Sequence, residues 1–333
     1  MICWTRSPAR SAKSDWNRGF AQRDRRQDRF FIFERIDMPS PLLLDREFLK
    51  TLEQVTLLCR NNLAGAVGPE HRSRTRGPGM EFADYRRYSF GDDPRSLDWS
   101  AYLRLGKLFL KIYETEQHIP VRILLDCSES MDCEGATESK FLYAQRLAAT
   151  FAYLALLHLD TAAVIPFSSG LNKPLIVSGG RDRLWPVLEF LDAQSCAGGT
   201  DLFGAVKGFL SAFAARGIVI LISDFFDENG CERAVEMLRS AGHDFVLMQV
   251  HSADEQRPSA AGELILEDVE THAQRTVQCS PDNTALYERR FLEFSARLRQ
   301  LALRNGGRYA RAVTSIAYQD FVLRSLRSGQ VLA

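Results

Sequence analysis

The chain has 333 residues, a formal net charge of zero at pH 7, 45% hydrophobic residues and 25% charged residues. This composition is ordinary for a globular protein, and the length suits two domains or one large domain with an addition. The balanced charge argues against bulk binding of nucleic acid, and no apolar run approaches the roughly 20 residues of a membrane span. The seven cysteines contain no Cys-x-x-Cys pair, which favours reduced thiols and a cytoplasmic location over a disulfide framework or a zinc site.

The first 37 residues differ from the rest, because they are rich in arginine and have no amphipathic period. We expect residues 1–37 to be a basic, disordered tail. A nucleic-acid or lipid arm and a folded extension are the alternatives, and Met38 is an alternative start. Residues 38–118 are expected to form an N-terminal helix and β region, with a helix at 45–63 and a strand at 108–113.

Charged side chains surround the Gly-Asp-Asp-Pro turn at residues 91–94 within this region. Asp and Arg residues paired around one turn usually fix the geometry of a loop, so we expect a structural salt-bridge network here. The alternative is a docking surface for a partner. The residues concerned are Asp92, Asp93, Arg95, Asp98 and Arg104.

From residue 119 to residue 333, apolar runs typical of strands alternate with segments of helical periodicity. Strands are predicted at 121–126, 161–167, 175–177, 217–223 and 244–250, and helices at 139–159, 183–191, 201–214 and 231–241. A β-hairpin from residue 263, a helix at 284–305, a strand at 309–313 and a helix at 315–326 are expected to follow. The alternation predicts an α/β fold of Rossmann type, with a doubly wound, mainly parallel sheet flanked by helices and carrying an N-terminal helix/β addition.

The first strand of this region, residues 121–126, ends in a group of oxygen-bearing side chains. Its apolar run is typical of a strand buried on both faces. The run stops at Asp126, and Ser128 and Ser130 follow. One carboxylate and two hydroxyls are therefore expected at the carboxyl edge of the sheet, where ligands bind in open α/β folds.

Two later segments supply matching oxygens. Thr200 lies in a Gly-Gly-Thr-Asp turn, and Asp224 follows the most continuous apolar run of the chain. Hard oxygen ligands suit Mg²⁺, with Mn²⁺ as the alternative ion. Each residue by itself is also a common turn or cap residue, and Asp201 is a candidate helix cap. Together and in this order, Asp126, Ser128, Ser130, Thr200 and Asp224 predict a metal site.

The order Asp-x-Ser-x-Ser, then Thr, then Asp resembles the metal-ion-dependent adhesion site of von Willebrand factor type A domains. Residues 86–99, with Arg-Arg-Tyr, Gly-Asp-Asp-Pro-Arg and Leu-Asp-Trp, resemble the signature of the prokaryotic family called domain of unknown function 58. So do the segments at 222–224 and 268–271. Two departures stand out: Arg87 replaces a glutamate, and residues 251–255 have lost a Leu-Asp-Pro-x-Glu pattern. The resemblance implies a von Willebrand A-like sandwich and a MoxR-type AAA+ ATPase as a partner in assembling or activating other proteins.

These features favour a non-enzymatic, Mg²⁺-dependent protein–protein interaction module that recognises an acidic side chain of a partner. The sequence has no nucleophile elbow, P-loop or dinucleotide fingerprint. One alternative is a metal-dependent hydrolase or phosphotransfer enzyme that uses Asp126 and Asp224. Another is a structural scaffold whose site no longer binds metal. The six histidines form no local pair and are expected to be surface residues or fully hydrogen-bonded.

Overall fold

The computed structural model describes residues 2–3, 45–53, 80–90, 92, 94–115, 119–132, 138–158, 160–259, 262–268, 273–325 and 331. A six-stranded sheet forms the centre of this part of the chain. In spatial order its strands are β11 (Arg308–Val313), β8 (Asp244–His251), β7 (Ile218–Ser223), β4 (Val121–Asp126), β5 (Ala162–Phe167) and β6 (Leu175–Val177). All neighbouring pairs are parallel except β5 with β6, which is the antiparallel edge.

Strand β4 lies in the middle of the sheet because nearly all of its side chains are apolar. Val121, Ile123 and Leu125 face one core, and Leu124 faces the other. The exception, Arg122, is accommodated because its guanidinium lies 5.7 Å and 5.4 Å from the ring centroids of Phe209 and Phe213. A strand buried on both faces in this way is typical of parallel sheets covered by helices.

Helices cover both faces of the sheet. On one face lie α3 (Lys140–Leu157) and α4 (Leu184–Asp192), with the short α1 (Arg46–Leu52) and α9 (Tyr318–Asp320) beside them. On the other face lie α5 (Leu202–Ala212), α6 (Glu228–Ser240) and α8 (Pro281–Arg304). The one-turn α7 (Ala253–Gln256) follows β8. The predicted doubly wound, mainly parallel sheet flanked by helices is thereby confirmed.

Two smaller sheets complete the described fold. Strands β2 (Met80–Arg87) and β3 (Phe109–Thr115) form an antiparallel pair, with α2 (Trp99–Leu105) in the connection between them. Strands β9 (Gly262–Asp268) and β10 (Gln274–Cys279) form the expected hairpin. A short strand β1 (Ile2–Cys3) adds to β9, which departs from the tail expected at residues 1–37. The domain boundaries at residues 37 and 118 stay predictions.

Several helix boundaries differ from the expectations, and capping explains two of them. Helix α6 begins at Glu228 because the Asp227 side chain accepts a hydrogen bond from Gly230 N at 2.9 Å. Helix α8 begins at Pro281, which follows the capping residue Ser280 and has no N–H to leave unpaired.

Other differences lie near the two ends of the described chain. The helix predicted at 315–326 begins later in the structure, where Tyr318–Asp320 is α-helical and a π turn, Phe321–Ser325, continues it; residue 326 lies outside the described residues. Strand β2 was not predicted. Of the helix expected at 45–63, the part beyond residue 53 lies outside the described residues.

Candidate metal centre

Asp126 closes β4, and its carboxylate is fully buried. One oxygen, Oδ1, accepts a hydrogen bond from Ser128 N at 2.9 Å, and Oδ2 accepts one from Ser223 Oγ at 2.6 Å. The second bond crosses from β7, the neighbouring strand in the sheet. The carboxylate is therefore held by donors from two adjacent strand ends.

Ser128 and Ser130 place their hydroxyl groups together, with 2.9 Å between the two Oγ atoms. Both side chains are fully buried. The contact arises because Glu129–Asp132 forms a short 3-10 turn directly after β4. The first predicted loop therefore offers a carboxylate and two touching hydroxyls in one enclosed place.

The loop that carries Thr200 is tied to the first loop by its backbone. Glu129 N donates to Gly198 O at 2.9 Å, and Ala197 N donates to Cys127 O at 2.8 Å. Gly198 has a φ of 75°, in the left-handed region that glycine adopts without steric cost. Thr200 itself is half-buried, so it is the most accessible of the predicted ligands.

Asp224 follows β7 and is fully buried. The next residue, Phe225, is the one non-glycine residue with a positive φ, 63°, in the part of the chain that the structure describes. Left-handed backbone at a bulky residue costs about 1–2 kcal/mol and often marks a functional turn. Here it redirects the chain immediately after the carboxylate.

Residues 200–202 and the loop that follows Asp224 are joined by one aspartate. Leu202 N donates to Asp227 Oδ2 at 3.1 Å, while Asp227 Oδ1 accepts from Gly230 N. Asp201 caps its own helix through Gly204 N at 2.7 Å, as the sequence predicted. All three predicted loops thus meet at one end of the sheet.

The end of the sheet where the three loops meet lies at a reversal in the strand order. Taken in chain order, the six central strands follow the spatial order 3-2-1-4-5-6, in which the winding reverses between β4 and β7. Open α/β sheets bind ligands outside the carboxyl ends of the strands at such a reversal. Asp126 ends β4 and Asp224 follows β7, so the two carboxylates lie on either side of this reversal point.

Sequence reasoning missed two charged residues of the site. The ammonium group of Lys140 lies 3.0 Å from Asp224 Oδ2 and 2.5 Å from Glu255 Oε1. Lys140 is the first residue of α3, and Glu255 belongs to a capping box with Ser252. The Ser-x-x-Glu pattern of a capping box is visible in the sequence, but it does not indicate that Glu255 pairs with Lys140.

The buried charges perturb one another. Burial, and then the nearby Asp224 carboxylate, raise the pKa of Asp126 to about 7, against the opposing effect of the Ser223 hydrogen bond. Burial alone would lower the pKa of Lys140, but the charges of Asp224 and Glu255 outweigh it and raise that pKa. Burial is thus the main reason why Asp126 resists ionisation, and the charge of Asp224 adds to it.

This donor set fits a hard cation. The described residues contain no group of three or more His, Cys, Asp or Glu side chains that can hold a metal ion, so any cation must rely on hydroxyl oxygens. Ser128, Ser130 and Thr200 supply them, with two carboxylates near enough to interact electrostatically. Few charged ligands and several neutral oxygens suit Mg²⁺, which retains waters.

Other predictions near the site have mixed outcomes. Burial raises the pKa of the Cys127 thiol to about 12, which agrees with a core-facing thiol. In the turn network, Arg86 pairs with Asp92 at 2.6 Å, and Asp98 caps α2. The expectation for the histidines was wrong at His251, which is fully buried and whose Nε2 atom has no hydrogen-bond partner.

A family model described as "Protein of unknown function DUF58" matches residues 84–297. The chain belongs to the DUF58 family. This DUF58 protein is similar to an uncharacterized protein of Mycobacterium tuberculosis, with 24% identity over 236 residues, 70% of this chain and 73% of the relative.

Two solved structures resemble the DUF58 chain weakly. One is the conserved hypothetical protein BatB from Bacteroides thetaiotaomicron, with 16% identity and a TM-score of 0.39 over 63% of this chain and 98% of that one. The other is an aerotolerance-related membrane protein from Bacteroides fragilis, with 17% identity and a TM-score of 0.42 over 63% and 99%. The description of a membrane protein contradicts the expected cytoplasmic location, which was wrong. Within the described ranges, no helix is long and apolar enough to cross a bilayer.

Proposed function

We propose that this DUF58 protein is a non-enzymatic interaction module that binds Mg²⁺ and, through it, an acidic side chain of a protein partner. In this proposal the central domain is of the von Willebrand factor type A kind, and the cluster at the sheet edge is its metal-ion-dependent adhesion site. The observation that carries the proposal is the convergence of Asp126, Ser128 and Ser130 with the Thr200 and Asp224 loops at the reversal point of the sheet.

The hydrogen bonds of the two carboxylates support a hydroxyl-based site. Each oxygen of Asp126 and of Asp224 already accepts one bond from the protein. A carboxylate oxygen has two lone pairs, so one remains for a water or for the ion. Ser128, Ser130 and Thr200 would then bind Mg²⁺, or Mn²⁺, directly, and Asp126 and Asp224 would act directly or through water. The bound ion supplies an electron-poor position for an incoming carboxylate.

The burial pattern suggests the route by which a partner approaches. Asp126, Ser128, Ser130 and Asp224 are fully buried, whereas Thr200 is half-buried and Gly198 is exposed. An acidic side chain would therefore enter beside the Thr200 loop. A MoxR-type AAA+ ATPase is the partner class that we propose, on the family resemblance alone.

The proposal is tested first by calorimetric titration of the purified protein with Mg²⁺ and Mn²⁺. Asp126→Ala, Ser128→Ala and Thr200→Ala should each lose most of the binding. Ser211→Ala is the matched control, because Ser211 is exposed on α5 and bonds only to its own helix. Equal binding by the wild type and all three site variants would refute the metal site.

The partner is tested by capture of a purified MoxR-type ATPase on the immobilised protein, with Mg²⁺ or with a chelator. Capture should require the ion and be lost in Thr200→Ala. Capture that survives both the chelator and the substitution would mean that the partner binds elsewhere.

A metal-dependent hydrolase or phosphotransfer enzyme using Asp126 and Asp224 is the second candidate. The observation that favours it is the burial of Asp126 near Asp224, which raises the pKa of Asp126 to about 7, where a carboxyl group can exchange protons at neutral pH. Turnover of phosphomonoester substrates with Mg²⁺ or Mn²⁺, abolished in Asp126→Asn, would establish this activity. Background rates in both proteins would eliminate it.

A further inference from the structure

Lys140, Asp224 and Glu255 form a charge cluster that is almost wholly removed from solvent. The side chains of Lys140 and Asp224 are 0% exposed and that of Glu255 is 7% exposed. The three residues come from α3, the end of β7 and α7, and they are separated by 84 and 115 positions in the chain. A fully buried ammonium is costly unless it is paired and hydrogen-bonded, so both carboxylates are needed to hold Lys140 there.

The buried carboxylates at this end of the sheet outnumber the buried ammonium groups. The buried groups at this end of the sheet include three carboxylates, Asp126, Asp224 and Glu255, but Lys140 is the one ammonium in contact with any of them among the described residues. Ionised, the set keeps two negative charges in excess, which one divalent cation would neutralise. Without Lys140 the excess would be three, and without Glu255 it would be one.

Lys140 also limits how Asp224 can act. Its ammonium occupies Oδ2 of Asp224 at 3.0 Å, while Phe226 N donates to Oδ1 at 3.3 Å. Each Asp224 oxygen therefore has one lone pair left, and an ion bound at Oδ2 would share that oxygen with the ammonium of Lys140.

We infer that Lys140 is a built-in counter-ion that sets the affinity of the site for divalent cations, in opposition to Glu255. The inference rests on the proposed metal site and adds its regulation by charge. Lys140 weakens the binding of the cation by repulsion and by holding Asp224. Glu255 strengthens the binding, both through its own charge and because it draws the ammonium toward itself.

Removal of the Lys140 charge and removal of the Glu255 charge should change the affinity for divalent cations in opposite directions, which makes the inference testable. Lys140→Met keeps the length of the side chain and removes the charge, so Mg²⁺ and Mn²⁺ should bind about tenfold tighter or more, given the strength of charge interactions at low dielectric. Glu255→Gln should weaken both ions about tenfold. The double variant Lys140→Met/Glu255→Gln should return close to the wild-type affinity. Structural damage would instead weaken binding in every variant.

Matched controls are available on the surface. Lys207→Met on α5 and Glu236→Gln on α6 change the same charges at exposed positions and should leave the affinities within about twofold, because solvent screens them. Affinity is measured by calorimetry, and circular dichroism verifies the fold of each variant. If Lys140→Met does not fold, Glu255→Gln decides, because it leaves the Lys140–Asp224 pair intact.

The outcomes separate the two proposals. Tighter binding by Lys140→Met together with weaker binding by Glu255→Gln supports the inference. Equal affinity in the wild type and both variants, or weaker binding by Lys140→Met, overturns the inference and leaves the metal site standing. Absence of binding in the wild type and in all variants overturns both.

Discussion

The hydroxyl of Ser223 donates a hydrogen bond of 2.6 Å to Asp126 Oδ2, and this bond joins the ends of two adjacent parallel strands at the candidate site. Ser223 Oγ also accepts from Phe225 N at 3.0 Å. The same hydroxyl therefore orients Asp126 and supports the left-handed turn that follows Asp224. Neither carboxylate is positioned by its own loop alone.

Ser223→Ala should destabilise the protein by about 1–3 kcal/mol, because a buried bond to a carboxylate is lost and Phe225 N loses its acceptor. The free energy of unfolding in urea measures this, with Ser211→Ala as an exposed control that should change it by less than about 0.5 kcal/mol. A loss no larger than that of the control would mean that the contact contributes nothing.

Gly198→Ala should cost about 1–2 kcal/mol, because residue 198 has a φ of 75° and an L side chain is strained there. The space around it is open, since an added Cβ would meet its nearest atom, Ser169 Oγ, at 4.0 Å. Gly170→Ala is the matched control, because its Cβ would meet nothing within 4 Å and its φ is not positive. Similar stability of the two variants in urea would show that backbone strain at residue 198 is unimportant.

Asp227→Ala should cost about 1–2 kcal/mol, as typical for loss of a helix N-cap. It should also weaken Mg²⁺ binding, because the bond from Leu202 N that ties the Thr200 segment to the loop after Asp224 is lost. Asp227→Asn keeps one of the two acceptor oxygens, so it should retain the cap from Gly230 N and recover part of the stability. Unfolding and calorimetric titration of both variants test this, and an Asn variant as damaged as the Ala variant would point to charge rather than hydrogen bonding.

His251 should make stability fall as the pH is lowered. Burial is the main cause that lowers the pKa of His251 to about 4, below its ordinary value of 6.5. Between these values the unfolded chain binds a proton that the folded protein excludes, so this residue alone removes up to about 3 kcal/mol between pH 6.5 and pH 4. Well above pH 6.5 the residue is neutral in both states and has no such effect.

His251→Gln, which does not titrate, should therefore lose less stability than the wild type between pH 7 and pH 5. The difference between the two proteins is the quantity to measure by urea unfolding, because Asp126, with its raised pKa, acts in the opposite direction in both. Parallel pH profiles for wild type and variant would rule out the role of His251.

Much of the fold was readable from the sequence because its signals are local. The apolar runs at residues 121–126 and 217–223 are each buried throughout in the structure. A continuous apolar run is enough to predict such a buried strand, without knowledge of the strands that pair with it. The same runs located Asp126 and Asp224, since each carboxylate directly closes or follows a strand. Boundaries set by caps, as at Asp227 and Ser280, were placed less well because a cap depends on a single residue.

The sequence by itself determined which oxygens lie at the ends of the strands and that the sheet is mainly parallel, because apolar periodicity and strand–helix alternation are properties of neighbouring residues. Only the tertiary structure decided that the strand order reverses between β4 and β7, and that Lys140 and Glu255 join Asp224 there. Those contacts link residues 84 and 115 positions apart. Nothing in the local pattern encodes them, because burial of opposite charges together is a property of the assembled core.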